Sequence, residues 1–155
     1  MTDKNTTIHD LQLSYQEFRG PLERLHTKDF SEVWLGEWSV NDLLAHMAGW
    51  FREMEGAIKR VEKGERPTPE GVDYSDSDAW NAKFTKDAKE GEAALKDFDH
   101  AYESYLAAAK SLPADKFGID DGRPRIGNRL LQASGIGHFQ EHQPQLDAWL
   151  AEREE

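Results

Sequence analysis

Apolar side chains at Ile8, Leu11, Tyr15, Phe18, Leu22 and Leu25 recur at gaps of three and four, which sets them on one stripe of a helix over about residues 5–27. Pro21 lies inside that stretch and predicts a bend, because it lacks the backbone N–H that a helix interior needs. A second stripe, Val40, Leu43, Leu44, Met47, Trp50, Phe51, Met54, Ile58 and Val61, predicts a helix running to about Glu62. Its start is marked by Ser39 as N-cap, Asp42 three residues on as the acidic partner, and Trp38 with Leu43 as a hydrophobic staple; Lys63-Gly64 marks its end. Trp80, Phe84, Ala88, Gly91, Leu95, Phe98, Tyr102, Tyr105, Ala109 and Leu112 predict a third helix over about 78–111, with Gly91 its weak point and Leu112-Pro113 its stop. The fourth, over about 126–153, has its stripe at Leu131, Gly135, His138, His142, Leu146 and Trp149. Residues 64–77 and 114–125, rich in Pro, Gly and Asp, read as long polar loops, and no stretch alternates with the period of a strand.

Four long stripes without strands predict an all-α four-helix bundle with long connecting loops, a fold that builds sites from side chains facing inward on adjacent helices. A length of 155 residues suits one domain, 1–155. The net charge of −11 repels phosphate backbones and anionic bilayers, so the expected partner is a small molecule, with neither nucleic acid nor membrane. With no cysteine, disulfides, thiolate-ligated zinc and a cysteine nucleophile are excluded. The first 27 residues contain no continuous apolar run of the kind a secretory signal or membrane span requires, and the expected location is cytoplasmic.

The fourth stripe carries the candidate chemistry. His138 and His142 are one helical turn apart, on one face with Cβ atoms about 5–6 Å from each other, so both can close on one divalent metal. His46, on the edge of the second helix's apolar arc, supplies a third imidazole if the second and fourth helices are neighbours. Three protein ligands leave a coordination position open, the pattern of a catalytic rather than a structural site. Imidazoles at seam positions must be satisfied in some way, and hydrogen-bonded core histidines fit the same spacing. Gly135 and Gly137 are expected to leave room beside the ion. Trp50 and Trp80 are candidate cavity or core residues, Asn81 is either a cavity amide or a helix cap, and Glu141 falls about 60–100° off the histidine face, where a surface charge is expected rather than a general base. His9, the Glu23/His26 pair and the Asp97/His100 pair lie off their stripes and read as solvated. Pro144 frees the Gln140 carbonyl and predicts a kink after the site.

Trp-Ser-Val-Asn-Asp-Leu-Leu-Ala-His-Met-Ala-Gly-Trp at 38–50, Trp80-Asn81, and His-Phe-Gln-Glu-His at 138–142 followed by Leu146 and Trp149-Leu150 resemble the DinB/YfiT-like four-helix-bundle superfamily in the order of its motifs. The resemblance implies a divalent metal, zinc or nickel, on His46, His138 and His142 and a bundle that forms a homodimer; Trp50, Trp80 and Asn81, from their own positions, are the candidates for binding substrate. It implies a chemistry related to mycothiol-dependent maleylpyruvate isomerase and bacillithiol transferases, with a low-molecular-weight thiol as a further cofactor. A cyclopropane-hydrolysing toxin-resistance branch shares the fold; by its complete triad this chain resembles the metal-binding members more. The expectation is a metal-dependent, thiol-using S-transferase or isomerase, or a hydrolase. The competing expectations are a non-catalytic metal or small-molecule binding protein in stress or toxin resistance, and a bundle whose histidines are merely structural.

Overall fold

Asp3 opens the first helix by accepting from the Thr6 N–H at 2.8 Å, and α1 (Lys4–Arg19) follows in the computed structural model, which describes residues 3–153. The helix ends well before the predicted residue 27. Pro21 falls in a 3-10 turn (Gly20–Arg24), and a second such turn (Thr27–Ser31) carries the chain onward. Leu22 keeps its buried place through that turn, which is why the apolar spacing outruns the α-helix.

The reading of α2 (Val40–Glu62) matches its observed bounds. Ser39 Oγ accepts from the Asp42 N–H, and the Asp42 carboxylate accepts from the Ser39 N–H, so two otherwise orphaned donors satisfy each other's residues. The predicted third helix is instead two, α3 (Ser77–Lys86) and α4 (Gly91–Ser111). Gly91 has φ +55°, a left-handed conformation that glycine adopts without penalty, and its N–H donates to the buried Asn41 Oδ1 at 2.9 Å.

The second polar loop holds a short hairpin. β1 (Ile119–Asp120) pairs antiparallel with β2 (Arg123–Pro124) around Asp121 and Gly122, both at positive φ. The fourth predicted helix is one rod in three parts: α5 (Ile126–Leu131), a π turn (Gln132–Ile136) and α6 (Gly137–Arg153), which continues through Pro144.

The long axis of the bundle is the pairing of α2 with α4; α1 lies against α4, α5 and α6, and α2 also meets α5 and the π turn. Phe51, Phe98, Tyr105 and Phe139 fill the centre, with Phe51 and Tyr105 stacked at 5.2 Å. Tyr15 stacks on Tyr102 at 3.7 Å and donates its hydroxyl to Asp99, which also pairs with Arg19. At the far end Arg153 reaches the buried Asp29 and tethers α6 to the second 3-10 turn. No described helix is long and apolar enough to cross a membrane. For the site, the consequence is that α2 and the C-terminal rod are neighbours.

Candidate functional site

That neighbourhood brings the three histidines together. Ring centroids are 4.8 Å apart for His46 and His138, 5.4 Å for His46 and His142, and 5.8 Å for His138 and His142. His46 and His142 are each only 5 % exposed. The rings, with Trp38, Trp50 and Asn81, line a cavity of about 360 Å³ that Ser77, Ser134 and Glu141 complete.

Each ring is held by its Nδ1. The His46 Nδ1 and the Trp50 Nε1 both lie 2.8 Å from Asn81 Oδ1. An indole nitrogen can only donate, so the Asn81 atom between them is the oxygen, and His46 must donate from Nδ1 as well. His138 Nδ1 lies 3.0 Å from the Ser134 carbonyl, which can only accept. His142 Nδ1 meets Gln145 Oε1 at 2.7 Å. With a proton on every Nδ1, a neutral ring presents its Nε2 as a lone pair, and the His142 Nε2 is buried with no hydrogen-bond partner.

The neutral form is enforced by the surroundings. Burial, followed by repulsion from His138, pushes the His46 imidazole down to about 3. Burial, followed by repulsion from His142, also lowers that of His138. Three imidazoles whose Nδ1 atoms are each engaged by an acceptor are the donor set that a metal site would need, because a hydrogen bond on one ring nitrogen orients the other toward an ion.

The ring spacing comes near what a shared ion would need. An ion about 2.1 Å from each Nε2 sets ring centroids roughly 4.6 Å apart at right angles and roughly 5.3 Å apart at the tetrahedral angle. The two distances involving His46 agree with this, and the edge between His138 and His142 is the wide one. As the side chains stand, no group of three or more His, Asp or Glu among the described residues has the arrangement that could hold a metal ion. The fit therefore rests on the donor set, the orphaned His142 nitrogen and the ring spacing.

Several sequence expectations change here. Gly135 and Gly137 do not make room in the cavity. A Cβ on Gly135 would stand 2.7 Å from the Tyr105 hydroxyl and 2.9 Å from Leu11, and one on Gly137 would stand 2.4 Å from the Gln132 carbonyl; both glycines permit close packing around the π turn. Asn81 is a cavity amide, placed on α3 to orient His46 and Trp50 at once. Trp80 stands outside the lining: it packs on Tyr74 and Trp50 and donates its indole N–H to the Asp73 carbonyl. Glu141 is the exposed charge expected, yet it also borders the cavity, with its carboxylate 3.8 Å from His142 Nε2. Trp38, read only as a helix staple, sits 4.8 Å from the His46 ring. A tight turn places it, with Leu35 and Trp38 exchanging backbone hydrogen bonds around Gly36 at φ +60°. His9, His26 and His100 are exposed. A larger hollow, about 660 Å³, between Arg60 and the loop 64–72 carries no histidine and no such convergence of acceptors.

A helical bundle with a tryptophan-walled cavity of three histidines between α2 and the C-terminal rod defines the class of protein. The chain belongs to the family of the mycothiol maleylpyruvate isomerase N-terminal domain, which residues 14–124 match. That stretch contains His46, Trp50, Trp80 and Asn81 and ends before His138 and His142. Solved structures with a similar fold include the colibactin self-resistance protein ClbS in complex with a double-stranded DNA, at TM-score 0.78 and 18% identity, covering 94% of each chain. A protein from Streptococcus pneumoniae matches at TM-score 0.79 and 10% identity over 96% of this chain and 91% of that one. The mycothiol-dependent maleylpyruvate isomerase matches at TM-score 0.69 and 16% identity over 90% of this chain, which spans only 58% of the isomerase's length. At such identities the likeness is one of fold. No curated protein matches the sequence.

Proposed function

We propose that this protein is a divalent-metal-dependent enzyme in which His46, His138 and His142 hold zinc or nickel through their Nε2 atoms, acting as a thiol-dependent S-transferase or isomerase, or as a hydrolase, on a small molecule. The observation that carries the reading is the buried His142 Nε2 without a partner, beside two further imidazoles whose Nδ1 atoms are likewise occupied. A bound divalent ion supplies Lewis acidity and favours the anionic form of a nucleophile at neutral pH. The chain's own residues supply position and environment. Asn81 and the Ser134 carbonyl fix two ring orientations, and Trp38 and Trp50 give the cavity apolar walls that exclude water from one side. With no cysteine in the chain, any thiol enters as a cofactor or substrate, and the family's mycothiol chemistry supports that class of nucleophile.

A second reading, a non-catalytic small-molecule binding protein in toxin resistance, is favoured by the likeness to a self-resistance protein over 94% of both chains. The DNA bound by that protein is not carried over, since a net charge of −11 opposes a phosphate backbone. A homodimer belongs to the same proposal and is read by sedimentation. Elemental analysis of protein purified without a histidine tag tests the metal reading: one equivalent of zinc or nickel per chain is expected, with a lower melting temperature in chelator. Absence of stoichiometric metal together with an unchanged melt would overturn the metal reading and leave the small-molecule binding protein.

A further inference from the structure

The triad leaves out a fourth acceptor in the same cavity. Glu141 Oε2 stands 3.8 Å from His142 Nε2, and among the described residues its carboxylate has neither a hydrogen-bond donor nor a Lys or Arg partner. Its place on α6 explains the reach. Side chains of a helix lean toward its N-terminus, so Glu141 leans back over the turn that bears His138 while lying next to His142 in sequence. The influence of its charge on His138, opposing the downward shift that burial causes, agrees with that position.

Two acceptors facing each other are unfavourable unless something positive lies between them. His142 donates from Nδ1 to Gln145, its Nε2 is buried without a hydrogen-bond partner, and the Glu141 carboxylate oxygen lies 3.8 Å from that nitrogen. In a tetrahedral shell with metal–ligand distances of about 2.0–2.2 Å, nitrogen and oxygen ligands are roughly 3.4 Å apart, some 0.4 Å from the separation found here. We infer that Glu141 is the fourth protein ligand of the ion held by His46, His138 and His142, closing the coordination shell at rest on a side chain free to swing away. Its 64% side-chain exposure fits a ligand that yields its position to an incoming anionic group, whereas His46 and His142 are buried. One carboxylate also offsets part of the +2 charge that three neutral rings leave uncompensated. The inference rests on the metal reading above.

The test compares chelator-treated wild type, Glu141→Gln and His142→Ala in competition titrations of Zn²⁺ against a chromophoric chelator, and in Co²⁺ absorption spectra. Wild type is expected to take up one ion per chain, Glu141→Gln to bind it at least about ten-fold more weakly with a shifted Co²⁺ visible band, and His142→Ala to lose stoichiometric uptake. The exposed Gln is not expected to alter the melt of the metal-free protein. Wild-type uptake with unchanged or tighter binding by Glu141→Gln would overturn this inference alone, since a carboxylate that merely pairs with a proton on His142 competes with the metal. No uptake by wild type would overturn the inference and the metal reading together.

Discussion

Asn81 is where a single substitution reads out the geometry of the site without any metal present. Its Oδ1 accepts from both His46 Nδ1 and Trp50 Nε1 at 2.8 Å, and the two donor residues are only 5 % and 8 % exposed. Asn81→Ala leaves two donors without an acceptor. Each buried unsatisfied donor costs about 1–3 kcal/mol, and water entering the adjoining cavity softens the loss, so the sum is expected near 2–4 kcal/mol. For a chain of this size that is a fall in melting temperature of about 5–12 °C. Asn81→Asp keeps an acceptor at the same place and serves as the control. Urea denaturation gives the free energy, and long-range ¹H–¹⁵N correlation of the imidazole gives the His46 tautomer. The fixed Nδ1–H form is expected to be lost in the alanine variant and retained in the aspartate variant. A destabilisation below about 0.5 kcal/mol with an unchanged His46 tautomer would refute the argument, because the amide would then not be what orients the ring.

Other consequences can be measured separately. In metal-free protein, His46 has its folded pKa below the unfolded value of 6.5, so protonation favours the unfolded chain; its share of stability is intact above pH 6.5 and is lost as pH falls toward about 3. At most about 1.4 kcal/mol per pH unit comes from one such group, and His46→Gln is expected to flatten the decline between pH 6 and 4, with identical wild-type and variant profiles counting against it. Gly137→Ala is expected to destabilise by about 2 kcal/mol or more, because its Cβ would meet the Gln132 backbone carbonyl, which no rotamer change relieves; a neutral substitution would show that the π turn is not fixed by this glycine. Removing a bound ion present at about 100 times its dissociation constant is expected to lower stability by about 2.7 kcal/mol, read as a melting shift on adding chelator that Zn²⁺ reverses.

The legibility of the chain followed the strength of its local signals. In α2 the cap, the acidic partner and the apolar arc all point to one answer, and its bounds were readable to the residue. In α1 the spacing of Leu22 and Leu25 continued past Pro21 although the backbone had changed to 3-10 turns, so periodicity alone overstated the helix. The break at Gly91 was visible as a weakness, but its cause, the Asn41 side chain catching the Gly91 N–H from fifty residues away, is tertiary. The hairpin carried an Asp-Gly pair at 121–122, a good turn signal, yet two-residue strands leave too few positions to alternate. The histidine face was legible because His138 and His142 sit on one stripe. Glu141 is exposed, as its helical angle suggested, but the angle gave no sign that its carboxylate reaches the cavity, since it describes where a side chain leaves the backbone and not how far a long flexible one reaches. The π turn, which has Gly135 and Gly137 at its close contacts and ends two residues before His138, has no periodic signature of its own.

Crystals of the untagged protein grown with Zn²⁺ and measured at the zinc absorption edge would show whether the three imidazoles share one ion. One strong anomalous peak is expected in the cavity, about 2.0–2.1 Å from the Nε2 atoms of His46, His138 and His142. A cavity without such a peak, in crystals that hold zinc elsewhere, would contradict it.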